Sequence, residues 1–268
     1  MFDSFDREIT YLRISVTDLC NLRCTYCMPA EGVKHRPRAD FLSYEEIAAV
    51  AREAAGLGIT KIRLTGGEPL VKKDIADLVR MLKSIPGVRE VGLTTNGTLL
   101  APLAAKLKDA GLDRINVSLD TLDPDKYREI TRGGDIAAVL RGIEAVRAAG
   151  FRNTKINMVM IPGVNESDAE AMAAFCRAKG FALQRIHHYS LRERGDDGDP
   201  LEAERPHACV RCNRIRLTAD GRLKPCLFSD AEIAVDPADI AASLRKAIRE
   251  KPARGASCTV RGNWQIGG

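Results

Sequence analysis

Three cysteines within eight residues, Cys20, Cys24 and Cys27, spaced C-x3-C-x2-C, constrain this chain more than any other feature. They follow an alternating stretch, Tyr11 to Thr17, that reads as a β-strand, and they fall in a polar loop with Asp18 and Asn21. Thiolates set this closely suit a soft metal or an iron–sulfur cluster. A tetrahedral zinc site needs a fourth ligand, and the loop itself offers no further His or Cys. Three ligands on a four-iron cluster leave one iron open to another molecule. The alternative is three free thiols in a loop.

With 268 residues, 45% of them apolar, the chain can hold one large α/β domain and a small appendage. No apolar run is long enough to span a bilayer, and the first residues lack the hydrophobic stretch of a signal peptide, so a cytoplasmic protein is expected. In that compartment eight cysteines read as ligands rather than disulfides. Six of them form two short-spaced groups, while Cys176 and Cys258 stand alone and read as buried or idle thiols. The net charge of +5 fits a solvated basic surface, an anionic ligand or nucleic acid.

Strand-like and helix-like segments alternate up to about residue 191, the order of a βα-repeat protein with a parallel sheet. Ser43-x-x-Glu46 reads as a capping box that opens a helix with an apolar stripe at Ile47, Val50, Ala51, Ala54 and Leu57. Further strands are expected at about 60–65, 91–95, 114–119, 154–161 and 183–190, with helices near 73–84, 99–110, 136–149 and 166–180. Six strands fall short of the eight of a full barrel, so a partial (βα)6, TIM-like barrel is expected. The polar, turn-rich run 192–200 reads as a linker. We therefore divide the chain into a barrel, 1–191, and a C-terminal part, 192–268, whose helix is expected from Asp236-Pro237 to about Lys251.

The strand faces carry more information. Leu12, Ile14 and Val16 oppose Arg13, Ser15 and Thr17; Ile62 and Leu64 oppose Lys61, Arg63 and Thr65. Ile115, Val117 and Leu119 oppose Asn116, Ser118 and Asp120, and Ile156 and Met158 oppose Lys155 and Asn157. A strand packed between helices and a filled barrel core would be apolar on both faces. One polar, basic face on several strands instead implies a wide barrel with a wet, basic lumen, suited to a polyanionic small molecule.

A second cysteine group, Cys209, Cys212 and Cys226, is spaced C-x2-C-x13-C around an expected strand–turn–strand. His207 is the one local candidate for a fourth zinc ligand; a second iron–sulfur cluster with an open iron is the other reading.

The first cysteine spacing, with Tyr26 inside it, resembles the radical S-adenosylmethionine (SAM) enzymes. Both triplets together resemble the GTP 3′,8-cyclase family of molybdenum-cofactor biosynthesis. So do Gly66-Gly67-Glu68-Pro69, Thr94-Thr95-Asn96-Gly97, the run Asn116 to Asp120, the stretch Cys212 to Gly221 and the terminal Gly267-Gly268. The likeness covers nearly the whole chain. It implies a radical SAM partial barrel with a small C-terminal iron–sulfur subdomain and two [4Fe-4S] clusters. Cys20, Cys24 and Cys27 would hold the SAM-cleaving cluster, and Cys209, Cys212 and Cys226 an auxiliary cluster facing substrate. Tyr26, Gly67 and Ser118 match positions that contact SAM. Arg13, Lys61, Arg63, Thr94, Lys155, Arg214 and Arg216 match positions near GTP. No catalytic side chain is assigned. The implied reaction converts GTP to (8S)-3′,8-cyclo-7,8-dihydroguanosine 5′-triphosphate: a 5′-deoxyadenosyl radical takes hydrogen from ribose C3′, which then bonds to guanine C8. The implied partners are GTP, an electron-donor protein and the cyclic pyranopterin monophosphate synthase that receives the product. A homodimer is compatible, and neither nucleic acid nor membrane is implied.

The chain also departs from the family. Leu19 stands where Arg is usual. The run Gln184 to Ser190 lacks the usual Arg-Phe-Ile-Glu-x-Met, which leaves Tyr189 near a Met expected to touch SAM and Arg185 as a candidate replacement for a GTP-contacting Arg. The segment before Cys209 is shorter than usual by several tens of residues. These departures keep two alternatives in play: a peptide-modifying radical SAM enzyme with an auxiliary cluster, and a non-catalytic metal- or nucleotide-binding module.

Overall fold

A computed structural model of the chain describes residues 1–33, 36–192 and 209–267. The expected linker beyond Arg192, His207 and the terminal Gly268 lie outside those residues.

Six strands, β1 (Tyr11–Ser15), β2 (Lys61–Thr65), β3 (Glu90–Thr95), β4 (Arg114–Ser118), β5 (Lys155–Met160) and β6 (Ala182–His187), pair in parallel with their chain neighbours. The helices between them are α1 (Tyr44–Gly56), α2 (Ile75–Lys83), α3 (Ala104–Asp109), α4 (Pro124–Thr131), α5 (Ile136–Ala148) and α6 (Ala169–Lys179). This is the expected βα alternation. Then β7 (Arg214–Leu217) returns to pair in parallel with β1, and β8 (Arg222–Lys224) and β9 (Ile233–Ala234) follow as antiparallel neighbours. The hairpin expected around residues 213–224 thus extends the main sheet, whose order is β6-β5-β4-β3-β2-β1-β7-β8-β9. The order has two ends, as in an open, partial barrel.

Local signals explain most of the elements. Ser43 Oγ accepts from the Glu46 N–H, and Glu46 Oε2 accepts from the Ser43 N–H, at 3.1 and 2.7 Å. That capping box starts α1, whose Ile47, Val50, Ala51 and Ala54 are buried as the stripe requires. Leu12, Ile14, Leu64, Leu93, Val117 and Ile156 form the core beneath the helices. Two helices were not expected, α4 and the short α8 (Asn263–Ile266). A signal for α4 was present: Asp123 caps it and Pro124 opens it.

The C-terminal helix, α7 (Ile240–Arg249), begins later than Asp236-Pro237 suggests. Asp236 Oδ1 instead accepts from the Ala238 N–H at 2.9 Å, making a local turn, and Asp239 caps the helix by accepting from Ala242. A capping aspartate and a turn aspartate look alike in sequence, because both satisfy a nearby backbone N–H.

Helix α5 lies close against the loop after β3 because Gly142 has no side chain. A Cβ there would meet the Gly97 carbonyl oxygen, with Leu100 Cβ 2.9 Å away. Gly142→Ala is expected to destabilise the fold by about 1–3 kcal/mol through overpacking, measured as a lowered denaturant midpoint at unchanged slope.

Candidate functional site

The first cysteine loop leaves β1 at the carboxyl end of the parallel strands, where ligand sites of α/β sheets gather. The end of α4 holds it there. Arg23 N–H donates to Thr131 O at 3.2 Å and Thr25 N–H to Ile130 O at 2.9 Å, while Arg132 Nη1 donates to the Arg23 and Met28 carbonyls at 3.0 and 2.8 Å. Tyr26 Oη donates to Asp120 Oδ2 at 2.7 Å, and Asp120 Oδ1 accepts from the Val159 N–H at 2.8 Å, which ties the loop to β4 and β5. Burial pushes the Asp120 carboxyl up to about 6 against those two hydrogen bonds.

After β2, Gly66 (φ +147°) and Gly67 pass directly against the cysteine loop. A Cβ on Gly66 would meet Thr17 O, and one on Gly67 would meet Leu19 O. Only glycine permits so close a backbone approach. Glu68 then turns inward and is buried; Oε1 accepts from Thr95 Oγ1 and Leu70 N–H at 2.7 and 2.9 Å, and Oε2 from Asn96 N–H at 2.7 Å. Burial raises this carboxyl to about 7, although all three donors oppose the shift.

These elements enclose a cavity lined by Cys20, Cys24, Cys27, Tyr26, Gly67 and Ser118, all of them expected there, together with His187, His188 and Tyr189. Burial raises the thiols of Cys24 and Cys27, that of Cys27 to about 12, with Cys20 and Asp120 adding to the effect. Among the described residues no three His, Cys, Asp or Glu side chains converge as a single metal ion would require. Three thiols that each meet a different iron of a cluster need not converge. The glycine cradle beside them leaves room for a ligand at the open iron, so the loop fits a cluster with a bound small molecule.

A second cavity opens beside the first. All seven residues expected near GTP line it: Arg13, Lys61, Arg63, Thr94, Lys155, Arg214 and Arg216. So do all three cysteines of the second group. The two cavities share Thr94, Asn157, Ile186 and Tyr189 as a common wall. With Arg114 and Lys251, which the sequence did not single out, eight cationic side chains line this cavity, and no Asp or Glu does among its described lining residues. At its rim Glu90 meets Lys61 at 2.9 Å, Arg63 at 3.7 Å and Arg114 at 3.9 Å.

Arg13, Arg63 and Arg216 are buried, so their charges are poorly screened. Burial, then Arg216, pulls the pKa of Arg13 well below the ordinary arginine value, although Tyr11 opposes the shift. A guanidinium keeps its proton in proteins, so the shift reflects desolvation first and repulsion by Arg216 second, both of which a bound anion would offset. Tyr11 Oη accepts from Arg63 Nε at 2.5 Å. Its hydroxyl is held below the ordinary tyrosine value, because Arg63, Arg13 and Lys61 outweigh its burial. Cys212 behaves likewise: burial raises its thiol, yet Lys251 and Arg214 bring it down to about 6.

The tail meets two arginines of this cavity. Arg13 Nη2 donates to Gly267 O at 3.0 Å, and Arg216 Nη1 donates to Ile266 O and Gly267 O at 3.1 and 2.6 Å. Gly267 takes φ +60°, and a Cβ there would meet Thr65 Oγ1.

A sequence profile of the radical SAM superfamily matches residues 14–176. Proteins named GTP 3′,8-cyclase are similar along almost the whole chain. The one from Moorella thermoacetica is 42% identical over 94% of both chains, and the one from Alkaliphilus oremlandii 39% over all of both. The chain belongs to the GTP 3′,8-cyclase family of radical SAM enzymes. Solved structures share its fold at lower identity: Streptococcus suis SuiB bound to S-adenosylmethionine (TM-score 0.69, 15% identity, 92% of this chain and 65% of that one) and anSMEcpe with bound AdoMet (0.64, 15%, 91% and 81%).

The Alkaliphilus comparison runs over 320 positions and covers all 268 residues here, which leaves 52 positions without a counterpart in this chain. On β6, Gln184 and Ile186 line the basic cavity, and Arg185 between them is not among its lining residues. Strand parity fixes this: neighbours on a strand point to opposite faces.

Arg63 lies across Gly92 of β3, where a Cβ would stand 2.9 Å from Arg63 Nη2 and 3.0 Å from its Cζ. Gly92→Ala leaves every charge in place but displaces this guanidinium. It is expected to weaken binding of inorganic tripolyphosphate by about 1 kcal/mol or more in titration calorimetry, through loss of one charge-assisted contact.

Proposed function

We propose that this chain cyclises GTP to (8S)-3′,8-cyclo-7,8-dihydroguanosine 5′-triphosphate, an early step of molybdenum-cofactor biosynthesis. It would do so with two [4Fe-4S] clusters and SAM, in the cytoplasm. No described helix is long and apolar enough to cross a membrane. The observation that carries the reading is the pair of adjoining cavities: one is lined by a cysteine triplet and a glycine cradle, the other by eight cations and a second triplet, and four residues separate them.

Cys20, Cys24 and Cys27 would hold the first cluster, with the backbone at Gly67 and the side chains of Tyr26 and Ser118 against SAM. When bound and reduced, that cluster supplies the electron that splits SAM into methionine and a 5′-deoxyadenosyl radical. The work of the chain itself is placement and shelter. Arg13, Lys61, Arg63 and Lys155 would take the triphosphate, since forked guanidiniums and point-charge ammoniums both match phosphate oxygens. Thr94 sits on the shared wall, where the ribose must lie to meet both sites. Arg214, Arg216 and the triplet Cys209, Cys212 and Cys226 would face the guanine end. The buried position of Arg13, Arg63 and Arg216 would help to keep water from the radical. We keep 1–191 as the barrel and 192–268 as the part that carries the auxiliary cluster, with an electron-donor protein, hand-over of product to the pyranopterin synthase and a homodimer as further proposals. A peptide substrate would rest on likeness of fold alone, whereas the basic lumen and the relatives that match along almost the whole chain support GTP.

The test is anaerobic reconstitution followed by incubation with SAM, reductant and GTP. About eight iron and eight sulfide per chain are expected, with 5′-deoxyadenosine and cyclised nucleotide formed together. Ala at Cys20, Cys24 or Cys27 should abolish SAM cleavage. Ala at Cys209, Cys212 or Cys226 should leave some uncoupled cleavage and no cyclised product. Stoichiometric zinc at the second triplet would sink the auxiliary-cluster assignment.

The tail supplies a separate check. Deleting Gly267 and Gly268 removes the carbonyl that Arg13 and Arg216 grip. The truncated enzyme is expected to keep both clusters and SAM cleavage but to make no cyclised nucleotide, and a peptide ending in Gly-Gly added in trans should restore part of the activity. Product at the full-length rate would show that the tail has no part in the reaction.

A further inference from the structure

The ligands of the second triplet arrive on separate pieces of chain. Cys209 and Cys212 precede β7, and Cys226 follows β8. One short segment, 251–256, contacts all of these pieces. Lys251, 2% exposed, donates from Nζ to Arg214 O at 2.8 Å and to Pro225 O at 2.9 Å. The first acceptor lies two residues past Cys212 and the second directly before Cys226. The carbonyls of Pro252 and Ala253 accept from Arg7 at 2.7 and 3.0 Å, and the same guanidinium donates to Cys209 O at 2.9 Å. At Gly255 the backbone lies against the third thiol: a Cβ there would stand 2.7 Å from Cys226 Sγ. Ala256 N–H then donates to Phe228 O at 2.9 Å.

The two cations are balanced differently. Arg7 has its carboxylate, Asp3, at 2.7 Å and also buried. Both hydrogen-bond acceptors of Lys251 are neutral carbonyls. A buried ammonium so placed is costly unless an anion stands close. A cluster held by three thiolates would be that anion, and the lining of the basic cavity includes Lys251 and all three cysteines.

We propose that residues 251–256 form a strap that positions the second cluster, with Lys251 as a positioning residue whose charge stabilises the cluster's reduced form. The inference rests on the two-cluster reading above. A cation beside the cluster favours the added electron, so its removal should lower the reduction potential.

The experiment uses the full chain with Cys20, Cys24 and Cys27 all replaced by Ala, so that only the second site holds iron. Iron and sulfide are measured after anaerobic reconstitution, and the midpoint potential is read by electron paramagnetic resonance in a redox titration. Lys251→Gln is expected to take up less iron than its parent or, where its cluster forms, to be reduced at a lower potential, while Lys251→Arg stays close to the parent in both. A lysine needed only for folding would not move the potential. If Lys251→Gln loses its far-UV circular dichroism, Gly255→Ala decides, because it changes no charge and is expected to lose iron by colliding with Cys226. Parental iron content and potential in Lys251→Gln, or parental iron in Gly255→Ala where that variant decides, would overturn the strap. If the triple-alanine parent itself binds no iron, the two-cluster reading falls and takes this inference with it. A parent holding about four irons beside an indistinguishable Lys251→Gln overturns the strap alone.

Discussion

Buried guanidinium groups on the concave face of a parallel sheet are the constraint on which the rest of this structure depends. Arg13, Arg63 and Arg216 are 8%, 4% and 6% exposed, and they stand side by side because β2, β1 and β7 are neighbours in register, with Arg13 opposite both Arg63 and Arg216. Charges so placed repel one another and are poorly screened. The fold tolerates them by giving them acceptors: Tyr11 for Arg63, and the Ile266 and Gly267 carbonyls for Arg13 and Arg216. The same repulsion suits the lumen to a polyanion, whose charge would offset it.

The tail follows from that constraint. Its carbonyls accept from Arg13 and Arg216, and only a residue without a side chain fits beside Thr65 there. Gly267 therefore combines two properties: backbone angles open to glycine and a carbonyl offered to two arginines. Because Asn263 of α8 also lines the cavity of the first triplet, the tail connects the two sites.

The two cysteine groups sit in opposite electrostatic settings. Around Cys24 and Cys27 burial and Asp120 resist ionisation, and the loop is held by backbone carbonyls of α4. Around Cys212, Lys251 and Arg214 favour the thiolate. Local charge is one of the levers by which a protein sets iron–sulfur potentials, and it differs between the two cysteine groups.

What the sequence determined by itself is what short-range geometry controls. The C-x3-C-x2-C loop, the Ser43 capping box and the period-two split of Arg13, Lys61, Arg63 and Lys155 from their apolar neighbours all lie within a few residues, where backbone periodicity decides which way a side chain points. Parity was enough to bring those four cations into one lumen, and resemblance added Thr94, Arg214 and Arg216. The tertiary structure decided what depends on pairing between distant segments. That β7 joins β1, that Gln184 rather than Arg185 faces inward, that Arg114 and Lys251 belong to the site, and that Arg7 reaches Cys209 from the other end of the chain carry no local signature. Each is fixed by which surfaces must be buried together and by hydrogen bonds between residues far apart in sequence, and one strand or one helix read alone does not contain its partner.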